Sequence, residues 1–245
     1  MSRIGLIVGS GELPWQLEWS TIGSAQTPFG SASMAPELAE MNGAEVVRLM
    51  RHGNPHRFAP HAINYRANIA ALDAVDIEAI VAVNTVGGIS AKASTGSLLL
   101  PDQLIDYTWG RESTFSPADA VRHIDFSQPY DPALNAELRA AGERAGSNLV
   151  NGGVMAVTQG PRLETAGEIK RLAQDGCDVV GMTGMPEAAL ARERDIPLVA
   201  LCLIVNPAAG VADDEAVDMD KLKETSRLGM LDIGELLLAF FERRL

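Results

Sequence analysis

Short runs of apolar residues recur along the chain, and most of them end in glycine or in a small polar residue. Five runs are predicted to be buried strands, because a strand that is covered on both faces needs no alternation of polar and apolar residues. They lie at residues 4–8, 45–50, 79–83, 179–182 and 197–205. A sixth run, at 149–157, contains Gly152 and Gly153 and is predicted to be a bent strand.

Helical periodicity separates most of these runs. Helices are predicted at 61–72, 164–174 and 186–194, and from about Asp213 to the end of the chain. Gly176 follows the second of them, where glycine commonly ends a helix. Strands that alternate with helices indicate an α/β fold with a mostly parallel central sheet. We expect a single domain that covers residues 1–245.

Composition excludes several classes of protein. The chain has 245 residues, of which 47% are hydrophobic, and its 32 acidic and 20 basic residues give a net charge of −12. A nucleic-acid partner is disfavoured because it requires a basic face. No apolar run approaches the roughly 18 residues that cross a membrane, and the first run is too short for a signal peptide. Cys177 and Cys202 form no Cys-x-x-Cys pair, so we expect a cytoplasmic protein.

Polar residues gather at the carboxyl ends of the predicted strands, where open α/β sheets bind ligands. They are Ser10, Arg51, His52, Thr85, Thr183 and Asn206. Hydroxyls, the amides of glycine-rich turns and one arginine together suit a phosphate-sized anion. Structural alternatives stay open: residues 9–11 also fit a plain turn, and the two threonines also fit helix caps or sheet-edge hydroxyls. Arg51 is the best single indication of an anion.

Three histidines raise the question of a metal site. His52, His56 and His61 are four and five residues apart, with a proline in each interval and no cysteine nearby. That spacing does not fit a zinc site, so no metal ligands are predicted.

Seven segments carry a resemblance that spans nearly the whole chain. They read GSG at 9–11, TPFG at 27–30, RHG at 51–53, NYRANI at 64–69, QGPRLET at 159–165, GMTGMPE at 181–187 and Asn206 after its apolar run. In order and spacing the chain resembles the methylthioadenosine and purine nucleoside phosphorylase family, in its trimeric branch. The resemblance implies one α/β domain with a mixed central sheet and a homotrimer. It also implies reversible cleavage of a purine nucleoside by inorganic phosphate, without metal or organic cofactor.

Matching positions in this family imply a role for each candidate residue. Phosphate binding falls to Ser10, Arg51, His52, Thr85, Thr183 and the amide of Val86. Nucleoside binding falls to Leu163, Glu164, Met182, Asn206, Met219 and, from a neighbouring subunit, His123. Among these residues, Asn206, Glu164 and His52 are the catalytic candidates.

Base and sugar preferences follow from three of these positions. The carboxamide of Asn206 offers a donor and an acceptor, which suits N7 and O6 of a 6-oxopurine. Glu164 matches the glutamate that accepts the base N1–H in 6-oxopurine members. Met219 stands where nucleoside enzymes of this branch carry a histidine for the 5′-hydroxyl, and methionine packs well against a methylthio group. The preferred substrate is therefore predicted to be 5′-methylthioinosine.

Alternatives remain for each of these residues and for the function. Asn206 also fits a strand-ending turn, Glu164 a helix N-terminus and Met219 a core position. Close alternatives are a phosphorylase that prefers methylthioadenosine and one that acts on inosine and guanosine. An NAD(P)-dependent oxidoreductase is disfavoured because residues 9–11 lack the third glycine of a dinucleotide fingerprint. A non-catalytic nucleoside sensor would need no phosphate cluster.

Overall fold

The computed structural model describes residues 2–212 and 218–242 of the chain. The strands are β1 (Arg3–Val8), β2 (Ser20–Thr21), β3 (Gln26–Thr27), β4 (Gly30–Ser31), β5 (Glu37–Met41), β6 (Ala44–Met50), β7 (Ala79–Gly88), β8 (Leu98–Leu100), β9 (Gln103–Asp106), β10 (Leu149–Asn151), β11 (Val154–Val157), β12 (Val179–Gly181) and β13 (Leu198–Pro207). The helices are α1 (Tyr65–Asp73), α2 (Pro132–Ala145), α3 (Ala166–Gln174), α4 (Glu187–Glu193) and α5 (Met219–Phe241), with a 3₁₀ turn at Pro60–Ala62.

A mixed, mostly parallel sheet forms the centre of the molecule. Within the described residues it has eleven strands, of which eight run in the order β10-β8-β13-β7-β1-β6-β5-β2. The four central strands β13, β7, β1 and β6 are mutually parallel. β12 pairs antiparallel with the end of β7. β11 pairs with β12 on one side and with β9 on the other. The α/β class and the mostly parallel sheet predicted from the sequence are confirmed.

The predicted strands form, with altered ends. β7 and β13 both continue past the apolar core of their runs, and each is ten residues long. The run predicted as one bent strand is two strands, β10 and β11, because Gly152 and Gly153 both take positive φ angles between them. The register of β13 against β7 shifts between Ile204 and Asn206.

Helices cover both faces of the sheet. α1 packs against α4 on one face, and α2 packs against α5 on the other. α1 begins at Tyr65 rather than at residue 61, because the Asn64 side chain accepts from the amide of Ala67 and caps the helix. α3 begins at Ala166, after an N-cap at Thr165. The start of the predicted last helix, residues 213–217, lies outside the described residues, and α2 was not predicted.

None of the helices in the described ranges combines the length and the apolar character needed to cross a membrane.

Candidate active site

One cleft opens at the carboxyl ends of the central strands. Parallel strands end at the same edge of a sheet, and the residues that follow β1 and β6 meet the ends of β7 and β13 there. The residues that follow the antiparallel strand β12 line the same cleft. Within the described part of the chain, ten of the twelve candidate residues line this cleft. They are Ser10, Arg51, His52, Thr85, Val86, Leu163, Glu164, Met182, Thr183 and Asn206.

Arg51 forms the floor of the cleft and is fully buried. Its Nε donates to Oε1 of Glu187 at 2.6 Å, and its Nη2 donates to Oε2 at 2.9 Å. Nη1 donates to the carbonyl of Val83 at 2.8 Å. A buried guanidinium requires such a partner, because an unpaired buried charge is strongly unfavourable. These three bonds use three of its five N–H groups, and no hydrogen bond to a described residue uses the second hydrogen of Nη1 or of Nη2.

Gly9 makes room for this arginine at the end of β1. A Cβ atom at this position would lie 2.7 Å from Nη1 of Arg51, closer than real Cβ contacts. A side chain at this position would therefore displace the guanidinium of Arg51, which three hydrogen bonds hold in place.

His52 presents a neutral ring to the cleft. Burial lowers the pKa of His52 to about 4, although the contact with Phe58 opposes this shift. Nδ1 lies 2.7 Å from the carbonyl oxygen of Phe58. Since a carbonyl can only accept, Nδ1 carries the proton and Nε2 keeps a lone pair. The exposed ring of His56 stacks on His52 with 4.2 Å between centroids and also lines the cleft.

Thr183 has a buried partner behind the cleft. Its hydroxyl donates to Oδ1 of Asn84 at 2.9 Å, and Nδ2 of Asn84 donates to the carbonyl of Ala82 at 2.9 Å. The second bond fixes the orientation of the amide, so Oδ1 faces the threonine. The hydroxyl of Thr183 must rotate away from Asn84 before it can donate to an anion in the cleft.

Glu164 and Asn206 face the cleft from two different segments. Oε1 of Glu164 accepts from the hydroxyl of Thr158 at 2.5 Å. Nδ2 of Asn206 donates to the carbonyl of the next residue, Pro207, at 2.6 Å. Leu163, beside Glu164, is 48% exposed despite its apolar side chain. Carboxylate, carboxamide and apolar surface together suit a flat heterocycle with polar edges.

Two of the motifs, QGPRLET at 159–165 and GMTGMPE at 181–187, contact each other. Gly160 has a φ of +60°, and a Cβ there would lie 2.5 Å from Sδ of Met182. Arg111 ties the same segments together, because Nη2 donates to the carbonyls of Gln159 at 3.1 Å and Met182 at 2.9 Å. Its Nη1 donates to the carbonyl of Met185 at 2.6 Å. The loop that contains Arg111 is therefore anchored to both sides of the site.

Met219 and His123 are absent from the described lining of the cleft. Met219 is 55% exposed in the first turn of α5, whereas Leu222, one turn later, does line the cleft. His123 is exposed and belongs to a separate surface depression that also includes Arg122 and Arg192.

Sequence reasoning missed four residues that shape the site. Glu187 stands inside the GMTGMPE motif, but its partner Arg51 is 136 residues away. Thr158 directly precedes the QGPRLET motif and carries no signal of its own. Leu222 could have been found as the residue one turn after Met219 on the same helix. Arg111 shows its role only through the carbonyls that it bonds.

Comparisons with known proteins agree with this geometry. The model of the phosphorylase superfamily matches residues 3–242. A probable S-methyl-5′-thioinosine phosphorylase of Pseudomonas syringae pv. tomato is 51% identical over 206 residues, which cover 83% of each chain. A 6-oxopurine nucleoside phosphorylase of Pyrococcus furiosus is 36% identical and covers 98% of this chain and 92% of its own. The structure of methylthioadenosine phosphorylase from Schistosoma mansoni in complex with adenine superposes with a TM-score of 0.89, at 27% identity, and covers 97% of this chain and 90% of that one.

Proposed function

The chain belongs to the phosphorylase superfamily, and we propose that it cleaves a 5′-methylthio purine nucleoside with inorganic phosphate. The preferred substrate is 5′-methylthioinosine, and the products are hypoxanthine and 5-methylthioribose 1-phosphate. The enzyme is a pentosyltransferase of purine salvage. The relatives that share its sequence over most of its length have names of nucleoside phosphorylases. Phosphate serves as co-substrate, and no metal or organic cofactor takes part.

The observation that carries this proposal is the position of two chemically different groups in one cleft. Arg51, His52 and Thr183 suit an anion at its floor, and Glu164 and Asn206 suit a heterocycle. A phosphate must lie beneath the sugar that it attacks, on the side opposite the departing base. Holding both reactants in this spatial arrangement supplies much of the rate enhancement, because the attack becomes effectively unimolecular.

The residues divide the chemistry between them. A phosphate oxygen bonds to C1′ of the sugar as the C1′–N9 bond breaks, and the electron pair of that bond leaves with the purine. Positive charge grows on the sugar, and the anion held by Arg51 stabilises it. The neutral ring of His52 accepts a hydrogen bond from a monoprotonated phosphate at Nε2, and the proton stays on the phosphate group of the product. Water supplies the proton that the departing purine needs to become neutral hypoxanthine. Negative charge grows on the purine, and the carboxamide of Asn206 meets it at N7 and O6 after releasing Pro207.

Base preference rests on the acceptor character of Glu164. A 6-oxopurine carries a hydrogen on N1, which a carboxylate can accept, whereas N1 of adenine carries a lone pair. Relatives that are 46–51% identical have the name probable S-methyl-5′-thioinosine phosphorylase. We place the 5′-methylthio group near the first two turns of α5, where Leu222 lines the cleft and Met219 lies one turn earlier.

We also propose that the enzyme works as a cytoplasmic homotrimer. His123 is exposed and lies away from the cleft of its own chain, as a residue that completes a neighbouring site would be. Both cysteines are free and buried, which suits a reducing compartment.

The direct test is base release from four nucleosides, with and without phosphate. Methylthioinosine, methylthioadenosine, inosine and adenosine are each incubated with the enzyme, and the free base is measured by chromatography. We expect phosphate-dependent release, fastest from methylthioinosine. Release that ignores added phosphate would overturn the mechanism, and faster release of adenine would favour the methylthioadenosine alternative. Faster cleavage of inosine than of methylthioinosine would favour a 6-oxopurine nucleoside phosphorylase.

A further inference from the structure

Thr158 lies behind the base-binding side of the cleft and holds Glu164 in place. Its hydroxyl donates to Oε1 of Glu164 at 2.5 Å, and a second acceptor, the carbonyl of Gly181, lies farther away at 3.4 Å. Its own backbone is fixed, because its amide donates to the carbonyl of Gly181 at 2.8 Å. Its carbonyl accepts from Arg111 at 3.3 Å. The hydroxyl therefore comes from a rigid part of the sheet edge.

The backbone of Glu164 is fixed as well. The next residue, Thr165, caps α3 by accepting from the amide of Glu168, while the Glu168 carboxylate accepts from the amide of Thr165. The hydrogen bond from Thr158 to Glu164 thus joins the two ends of the loop at residues 158–164, and the backbone is held at each end. In the described residues, no group donates to Oε2 of Glu164, so this oxygen is available to a ligand.

Thr158 is not among the described residues that line the main cleft. It lines a neighbouring cleft together with Tyr107 and Trp109, and Glu164 lines both. The short hydrogen bond to the Glu164 carboxylate therefore links the hydroxyl of Thr158 to the main cleft.

We propose that Thr158 is a positioning residue that determines base specificity, by holding Glu164 as a hydrogen-bond acceptor aimed at N1 of the purine. This inference rests on the proposed function. The hydroxyl donates and the carboxylate accepts, so one oxygen is occupied and the other remains an acceptor toward the cleft. An acceptor in a fixed position attracts the N1–H of hypoxanthine and repels the N1 lone pair of adenine. Without the hydroxyl, Glu164 would rotate and lose this discrimination.

A purely structural role predicts a different result. If the bond only closes the loop, its loss would disturb Leu163 as much as Glu164, and every nucleoside would be cleaved more slowly in equal proportion. The ratio between substrates therefore separates the two roles.

The test compares Thr158→Val, which has nearly the same shape without the hydroxyl, with Thr158→Ser, which keeps it. Steady-state constants are measured for methylthioinosine and methylthioadenosine at saturating phosphate. We expect Thr158→Val to lower kcat/KM for methylthioinosine about tenfold, mainly through KM, as the loss of one hydrogen bond to a charged group predicts. Methylthioadenosine should change less than about threefold. Thr158→Ser should keep the wild-type ratio.

Binding of free bases gives a second measurement that needs no turnover. Calorimetric titration with hypoxanthine and adenine should show that Thr158→Val weakens hypoxanthine binding selectively. Thr158→Cys, a weaker donor, serves if Thr158→Val does not fold, and should fall between Thr158→Val and wild type. Equal losses for both substrates and both bases would overturn the role of Thr158. Failure of the wild-type enzyme to release base with phosphate would instead overturn the proposed function. In that case, the calorimetric comparison of hypoxanthine with adenine would still test whether Thr158 determines base specificity.

Discussion

Arg51 and Glu187 form a bidentate ion pair in which neither side chain is exposed to solvent. Both side chains are fully buried, and the two hydrogen bonds measure 2.6 and 2.9 Å. The arginine predicted from the sequence to signal an anion is thus already matched by a carboxylate. The pair is neutral as a unit, so under the proposed function a bound phosphate would rely on the remaining N–H groups of Arg51 and on neutral donors around it.

Glu187→Gln tests this pair. The substitution removes the countercharge and leaves a buried guanidinium without full compensation, so we expect the free energy of unfolding to fall by about 3 kcal/mol. The KM for phosphate should also change, because the orientation of Arg51 is released. Urea unfolding followed by tryptophan fluorescence measures the first effect, and steady-state kinetics the second.

The matched control is Glu224→Gln, which breaks the exposed ion pair with Arg227 on α5. An exposed pair contributes little, and the loss should stay below about 1 kcal/mol. Equal effects of the two substitutions on unfolding would contradict the importance assigned to burial of the Arg51 pair.

The pKa of His52 predicts an acid-sensitive contribution to stability. The ring has a pKa of about 4 in the folded protein because of burial, whereas an unfolded histidine titrates near 6.5. Between these values the unfolded chain binds the additional proton, so the free energy of unfolding decreases as the pH falls from about 6.5 toward 4. His52→Asn removes this component, and its amide can still donate to the carbonyl of Phe58.

The measurement is urea unfolding of both proteins at several pH values in that window. Carboxylates also titrate there, so the difference between wild type and variant isolates the histidine. Parallel pH dependences in the two proteins would show that the ring is protonated alike in the folded and unfolded chains.

Asn206→Asp should move base preference toward adenine. A carboxyl group can accept from the exocyclic amine of adenine, while the amide donor for O6 is lost. We expect the ratio of kcat/KM for methylthioadenosine to that for methylthioinosine to rise about tenfold or more, in line with one hydrogen bond to a charged group. Asn206→Ala is the control, because it should slow both substrates without the shift. A constant ratio in Asn206→Asp would remove Asn206 from base recognition.

Two residues on α5, Leu222 and Met219, are candidates for contact with the 5′-methylthio group. Leu222 lines the cleft, whereas Met219 is 55% exposed. We therefore expect Leu222→Ala to raise the KM for methylthioinosine several-fold with little effect on inosine, since it removes three carbon atoms from a partly buried side chain. Met219→Ala should change it less than twofold. A larger effect at Met219, or a shift toward inosine in Met219→His, would favour the interpretation from the sequence.

Patterns along the chain predicted the central strands well, because buried parallel strands read as continuous apolar runs. β9 was missed, since Gln103 and Asp106 bound only two apolar residues. In the site, strand-end residues could be predicted to converge, because parallel strands share one edge. The partners that hold them could not: Glu187 and Thr158 act through side-chain directions that depend on packing between distant segments.

The register shift in β13 between Ile204 and Asn206 has a consequence for how such a site diversifies. The preceding residues of the strand, up to Val205, are buried in the core, whereas Asn206 is half-buried. Because Asn206 follows the register shift, its side chain does not continue the regular alternation of side-chain directions along the strand. Under the proposed function, a substitution at Asn206 would change the base contact while the hydrophobic interior stays intact. We therefore expect that base selectivity can evolve at this position by a single codon change, without a compensating change in the core.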